Sequence, residues 1–319
     1  MKKLLSVLLI VAMVFAMTAC GGGEDAESYP GKTAITSIVN FSAGGGSDLA
    51  ARALCDKAAE IMGGTITTTN VTGGSGTVGA AELAKQEPDG YTIGFVPTAS
   101  MALTPLFMDD VTYTPDDFDF ICGFGQYGYG IVVSNDSPYK SMDDVIAAMK
   151  KETLKFGMTG YPQPFAMYEL AAQNGGSVEA VSYPSTTDMI TDVMGGFLDI
   201  CVADEASFAA YVKSGDVTLL AGCCDERWIS APDVPTLLEM GYDVQLEAYL
   251  AMVTPKGVDP EKLEVLRAAF EEAAQDENFI EIMNNANQHV AFMTGADYEK
   301  FIYEKAEEYK ELYNKYANN

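Results

Sequence analysis

Residues 35–48 read ITSIVNFSAGGGSD, and how this stretch is parsed decides the fold. Ile35 to Val39 is a short apolar, β-branched run, as a buried strand requires. Phe41-Ser42-Ala43-Gly44-Gly45-Gly46 then breaks it, since three successive glycines belong to a loop. Ser47 is placed to cap a helix, with the Asp48 carboxylate in the first turn, where it suits the helix dipole. Ala50, Ala53, Leu54, Ala58 and Ile61 follow at helical spacing, and Gly63-Gly64 stops the helix.

Outward from this core the alternation continues. Thr65 to Val71 is a β-branched strand, Gly73-Gly74-Ser75-Gly76 a second glycine loop, and Ala80 to Lys85 a short helix. Pro88-Asp89-Gly90 turns the chain into a third strand, Tyr91 to Val96, which leads into Pro97-Thr98-Ala99-Ser100. A β-α-β-α-β run implies parallel strands with right-handed crossovers. Its loops Phe41–Ser47, Thr72–Gly76 and Pro97–Ser100 then share the carboxyl edge of one sheet, where open parallel sheets bind ligands.

The pattern is repeated. Strands are expected at Gly130–Val133, Leu154–Met158, Val178–Ser182, Leu198–Ala203 and Val217–Cys223, with the loops Thr159–Pro164 and Tyr183–Thr187 and the pair Asp204-Glu205 on a second edge. After Pro255, Asp259-Pro260 opens the first of three amphipathic helices reaching Tyr316, expected to wrap onto the first sheet. The chain would cross near Gly123–Gly130 and return near Leu246–Val253, giving a hinge and a cleft between two loop edges. The expected domains are 31–125 with 250–319, and 126–249.

At the other end, Lys2 and Lys3 precede an apolar run from Leu4 to Met17, the layout of a secretory signal. Met17-Thr18-Ala19-Cys20 has the form of a lipoprotein cleavage box, so residues 1–19 are read as a lipoprotein signal peptide and Cys20 as the lipidated residue. Residues 20–30 would be a flexible tether. No later segment is apolar enough to span a bilayer, so the expected location is extracytoplasmic, anchored to the cell membrane by lipid.

The formal net charge is −27, which argues against nucleic acid as a partner, since phosphate contacts need clustered Lys and Arg. Cys55, Cys122, Cys201, Cys223 and Cys224 are odd in number and hold no CxxC, so they read as core residues. No cofactor or metal is expected, because no HExxH, His/Cys cluster, GxGxxG or GxxxxGK[ST] occurs. The single histidine, His289, reads as a surface residue and not as part of a catalytic triad. Of Arg52, Arg227 and Arg267, the residues able to clamp a carboxylate, Arg52 falls inside the first helix and reads as an internal ion-pair partner. The Gly44-Gly45-Gly46 loop admits two readings, an anion cradle of bare amides or a tight turn packing helix on sheet. One such loop binds weakly; micromolar affinity takes about 8 kcal/mol and two closing domains.

Phe41-Ser42-Ala43-Gly44-Gly45-Gly46-Ser47-Asp48 with Ala51-Arg52, then Asn70–Gly79, Pro88-Asp89-Gly90-Tyr91-Thr92, Arg227 with Pro232-Asp233-Val234-Pro235-Thr236, and Pro255-Lys256-Gly257 form an ordered set. The set resembles the substrate-binding proteins of tripartite tricarboxylate transporters, the Bug or TctC family. The resemblance implies an α/β fold of two domains, like a type II periplasmic binding protein or Venus flytrap, with two hinge crossovers and a C-terminal helical segment. It implies a monomer, not an enzyme, that holds a small carboxylated solute and passes it to membrane permease subunits driven by an ion gradient. Carried over by position, the first-domain contacts are Phe41, Gly45, Gly46, Ser47, Asp48, Thr98, Ala99 and Ser100, beside Gly44 of the same loop. Those of the second domain are Thr159, Gly160, Tyr161, Tyr183, Pro184, Ser185 and Asp204. The second domain departs from the family pattern, since Thr159-Gly160-Tyr161-Pro162-Gln163-Pro164-Phe165 has two prolines and no histidine. A binding protein of another transporter class, a ligand presenter for a sensor, and an exported enzyme on the same scaffold remain as alternatives.

Overall fold

The computed structural model describes residues 29–108 and 110–316. The expected signal peptide, the lipidated Cys20 and nearly all of the expected tether lie outside the described residues.

The first round of the alternation forms as the sequence suggests. Strand β1 (Ile35–Val39) leads into helix α1 (Gly46–Met62), followed by β2 (Ile66–Asn70), the short α2 (Thr77–Leu83) and β3 (Thr92–Phe95). The strand period of two sorts the side chains of β1 by face: Ile35 and Val39 pack with Leu54 of α1, while Ile38 packs with Leu83 of α2. Gly63 ends α1 with a left-handed backbone (φ 65°), its N–H donating to the Ala59 and Glu60 carbonyls.

Then β4 (Phe118–Gln126) runs on through Tyr127-Gly128 into β5 (Tyr129–Ser134) of a second sheet. There follow α3 (Met142–Met149), β6 (Thr153–Met158), α4 (Gln163–Asn174), β7 (Ser177–Ser182), α5 (Thr186–Met194), β8 (Ile200–Asp204), α6 (Glu205–Ser214) and β9 (Val217–Gly222). The chain returns into β10 (Tyr249–Pro255), then α7 (Pro260–Ala274), α8 (Glu277–Asn285), β11 (His289–Thr294) and α9 (Gly295–Tyr316). The two crossings are hydrogen-bonded to each other, Tyr127 N donating to the Ala248 carbonyl at 2.9 Å.

The first sheet has the order β11-β4-β10-β3-β1-β2 and the second β7-β6-β8-β5-β9. β1 is parallel to β2 and β3, and β6 to β7 and β8. β10 and β11 are antiparallel to β4, and β5 is antiparallel to both of its neighbours. One apolar cluster runs across the crossing, joining Phe118 and Phe120 of β4 to Ile131 and Val133 of β5 and Phe165 of α4.

Two expectations for the C-terminal region need correction. It holds a strand, β11, between its helices, because Asn287 takes a left-handed backbone (φ 52°) that ends α8 and turns the chain to pair with β4. And α9 packs on the first sheet only in its first half, where Tyr298 lies against Phe120; further on Tyr309 stacks on Phe165 and Lys315 pairs with Glu169, both of α4.

His289 is also corrected. It is 5% exposed, and its Nε2 lies 2.9 Å from the Glu205 carboxylate. A histidine at the start of a strand that runs beside the crossing is enclosed by both sheets, which a reading of α8 and α9 as consecutive helices could not anticipate. The five described cysteines are buried free thiols.

Candidate functional site

Where the loop edges of the two sheets face each other there is a cavity of about 280 Å³. Phe41, Ser75, Pro97, Ala99 and Thr104 line it from the first-sheet side, and Thr159, Gly160, Tyr161, Gln163 and Asp204 from the second. Tyr127 and Tyr129, at the crossing, complete the wall, with ring centroids 6.0 Å apart. A roomier groove of about 470 Å³ separates α4 from the end of α9. Its walls carry Glu169, Asp243, Glu247, Glu308 and Glu311, and its lysines, Lys305 and Lys315, are already paired with three of these. The smaller cavity is the candidate site, because strand-end loops from both sheets converge on it.

Six of the sequence-predicted residues line that cavity: Phe41, Ala99, Thr159, Gly160, Tyr161 and Asp204. The others have local roles. The turn Gly44-Gly45-Gly46 is exposed, and the Gly44 N–H donates to the Asp48 carboxylate at 2.9 Å. Asp48 is buried, held by Arg52 Nε at 2.9 Å and Asn70 Nδ2 at 2.7 Å. Burial pushes its carboxyl up, but these hydrogen bonds outweigh burial and leave it below the usual carboxylate range. Ser47 reaches the site indirectly, through a 2.9 Å hydrogen bond between its hydroxyl and that of Tyr127.

Thr98 is buried, its hydroxyl accepting from Tyr249 N and meeting the Tyr298 hydroxyl. Ser100 donates to the Ser75 carbonyl and so ties two first-sheet loops together. Tyr183 donates to Asp192 at 2.7 Å, Ser185 caps α5 by accepting from Asp188 N, and Pro184 stands between them; none of the three is among the lining residues.

The sequence reading missed six lining residues. Ser75 and Pro97 belong to loops it had placed on the binding edge. Tyr127 lay in its expected crossing and Tyr129 at that crossing's end, while Gln163 lay in the stretch noted for its departures. Thr104 carried no signal, because it follows a single π-helical turn, Ala99–Leu103, that no periodicity announces.

The chemistry of the wall is that of hydroxyls, amides and aromatic faces. Among the described lining residues there is no Lys, Arg or His, and Asp204 is the one carboxylate. Burial pushes the Asp204 carboxyl above the usual range, against the 2.9 Å hydrogen bond that it accepts from Ser207 N as the cap of α6. Burial likewise pushes the Tyr127 hydroxyl up to about 12, so it stays protonated at neutral pH. The three arginines are committed elsewhere: Arg52 to Asp48, Arg227 to Glu239, Arg267 to the Phe120 carbonyl. No group of three His, Cys, Asp or Glu side chains suited to a metal occurs among the described residues.

Comparison with known proteins agrees with this architecture. The family described as "Tripartite tricarboxylate transporter family receptor" matches residues 50–317. A "UPF0065 protein in gbd 5'region" of Cupriavidus necator is 29% identical over 304 residues, covering 94% of this chain and 92% of that one. A TctC solute-binding protein from Polaromonas superposes with a TM-score of 0.78 at 24% identity, covering 90% of this chain and 100% of its own. An R. palustris protein solved with adipate superposes with a TM-score of 0.77 at 19% identity, over 90% and 97% of the two chains.

Proposed function

We propose, from the premise that the chain belongs to the tripartite tricarboxylate transporter receptor family, that it captures a small carboxylated solute in the cavity between its two sheets and delivers it to membrane permease subunits. The observation that carries this reading is the convergence of strand-end loops from both sheets on one cavity beside a double crossing. In this reading 31–125 with 250–319 and 126–249 close on the solute as two domains, and the protein works as a monomer held to the membrane by lipid on Cys20. Adipate in the R. palustris relative supports the ligand class. The contacts are the lining residues Phe41, Ala99, Thr159, Gly160, Tyr161 and Asp204, with Tyr127 and Tyr129 at the crossing. A cavity of this size suits a small metabolite rather than a peptide.

A thermal-shift screen of the purified protein against mono-, di- and tricarboxylates tests this. A ligand that binds only the folded state stabilises it by RT ln(1 + [L]/Kd), about 2.7 kcal/mol at a hundredfold excess over Kd. A concentration-dependent rise in Tm with at least one acid is expected. A flat response to every acid would contradict the reading.

A further inference from the structure

The second-sheet side of the cavity has its anion-binding capacity already used. Thr159 and Gly160 present backbone amides after β6, where an anion would be received. Gln163, 4% exposed, fills that position with its own side chain: its Oε1 accepts from Thr159 N at 2.6 Å, from Gly160 N at 3.2 Å and from Thr159 Oγ1 at 3.2 Å. On the same side of the cavity, Asp204 pairs in register with Tyr129 across β8 and β5, and both line the wall. A ligand carboxylate brought to this side meets a filled amide nest, a half-buried carboxyl group and no cation. The first-sheet side differs, offering the hydroxyls of Ser75 and Thr104.

We propose that the cavity selects a solute with a single carboxylate, whose other end is a hydrogen-bond donor turned to Asp204, and that Gln163 and Asp204 set this preference against dicarboxylates. The proposal rests on the solute-binding reading above. Like charges crowded in a sheltered site cannot both stay ionised, so a second ligand carboxylate would bind only with uptake of a proton. A hydroxyl or ammonium at the same place would instead donate to Asp204 and leave Gln163 undisturbed.

Titration calorimetry with acids that differ only at one end tests this: succinate, gamma-hydroxybutyrate and gamma-aminobutyrate, and adipate with its omega-hydroxy and omega-amino counterparts. The hydroxyl and ammonium arms tell a neutral donor from a cationic one. The wild type is expected to bind a donor-ended acid at least about tenfold more tightly than its dicarboxylate. Asp204→Asn should close that gap by strengthening dicarboxylate binding, and because Asn caps helices as well as Asp the variant keeps its fold. Gln163→Ala, which frees the Thr159 and Gly160 amides, should shift preference the same way. A wild type that prefers the dicarboxylates, or a ratio unchanged in Asp204→Asn, overturns the proposal and leaves the solute-binding reading intact. Absence of binding by all of these acids overturns the selectivity proposal, and the solute-binding reading falls with it only if the broader screen of acids is flat as well.

Discussion

The Asp48 carboxylate accepts from Gly44 N, Asn70 Nδ2 and Arg52 Nε, and Asn70 also donates to the Phe41 carbonyl at 2.9 Å. The motif that most resembled an anion cradle is thus a scaffold: it fixes the loop that carries Phe41 to the cavity. Its glycines and acid were legible as a strand-to-helix turn, but whether bare amides face a ligand or a neighbouring carboxylate depends on Asn70, a residue on another strand. His289 was misread for a similar reason, since its partners Glu205 and Glu226 are distant in sequence. Burial disfavours its imidazolium, but the hydrogen bonds and charges of Glu205 and then Glu226 outweigh burial and raise its pKa above the ordinary value of 6.5. A raised folded-state pKa stabilises fully below the unfolded value, and the benefit fades as pH climbs through the folded one. Urea unfolding should therefore show stability falling as pH rises past the ordinary histidine value of about 6.5. His289→Gln should flatten that fall, and an identical slope in both proteins would contradict the assignment.

At the scale of elements, capping and periodicity carried most of the reading. Asp259 caps α7 as its position before Pro260 implies, accepting from the Glu261 and Lys262 amides, whereas Ser47, expected to cap α1, falls inside that helix, which starts at Gly46 behind Gly45 with no side-chain cap. Three strands went unread, β4, β10 and β11. β4 is buried almost throughout, so no alternation marks it, and it is covered by the start of α9. Gly295, the first residue of α9, marks how close that approach is: a Cβ there would stand 2.2 Å from the Phe120 carbonyl oxygen and 2.8 Å from that of Ile121. These are backbone atoms that cannot swing aside. Gly295→Ala should cost about 1–3 kcal/mol, read as a lower Tm and an earlier urea midpoint. A melting curve matching the wild type would mean that α9 shifts off β4 without penalty.

For the molecule as a whole, two sheets, their order of crossing and the facing loop edges followed from the repeated alternation of strands and helices. The mouth of the cavity did not, because it is built from three distant segments. Phe107 on the first-sheet side stacks on Tyr161 at 3.9 Å between centroids and 13° between planes, and Tyr313 of α9 meets Phe107 edge-on at 4.7 Å. Tyr161 also lines the cavity, so this stack joins the two sides at the site. An aromatic pair adds about 0.5–1.5 kcal/mol beyond its buried area. Phe107→Ala should therefore speed ligand release by about two- to tenfold. The single tryptophan, Trp228, donates to the carbonyl of the cavity residue Tyr129 at 3.1 Å, which makes stopped-flow fluorescence the natural reading. An unchanged release rate would show that the stack does not hold the bound state closed.

The central claim is that a solute sits in the cavity between the sheets. Titration calorimetry with the most stabilising acid, on the wild type and on Ala99→Phe, tests it most directly, since Ala99 lines the cavity and a phenyl ring there occupies the space a solute would need. The wild type should bind one solute per chain, and Ala99→Phe should lose that binding while its unliganded Tm stays close to the wild type's. Undiminished binding in Ala99→Phe would place the solute elsewhere and contradict the account.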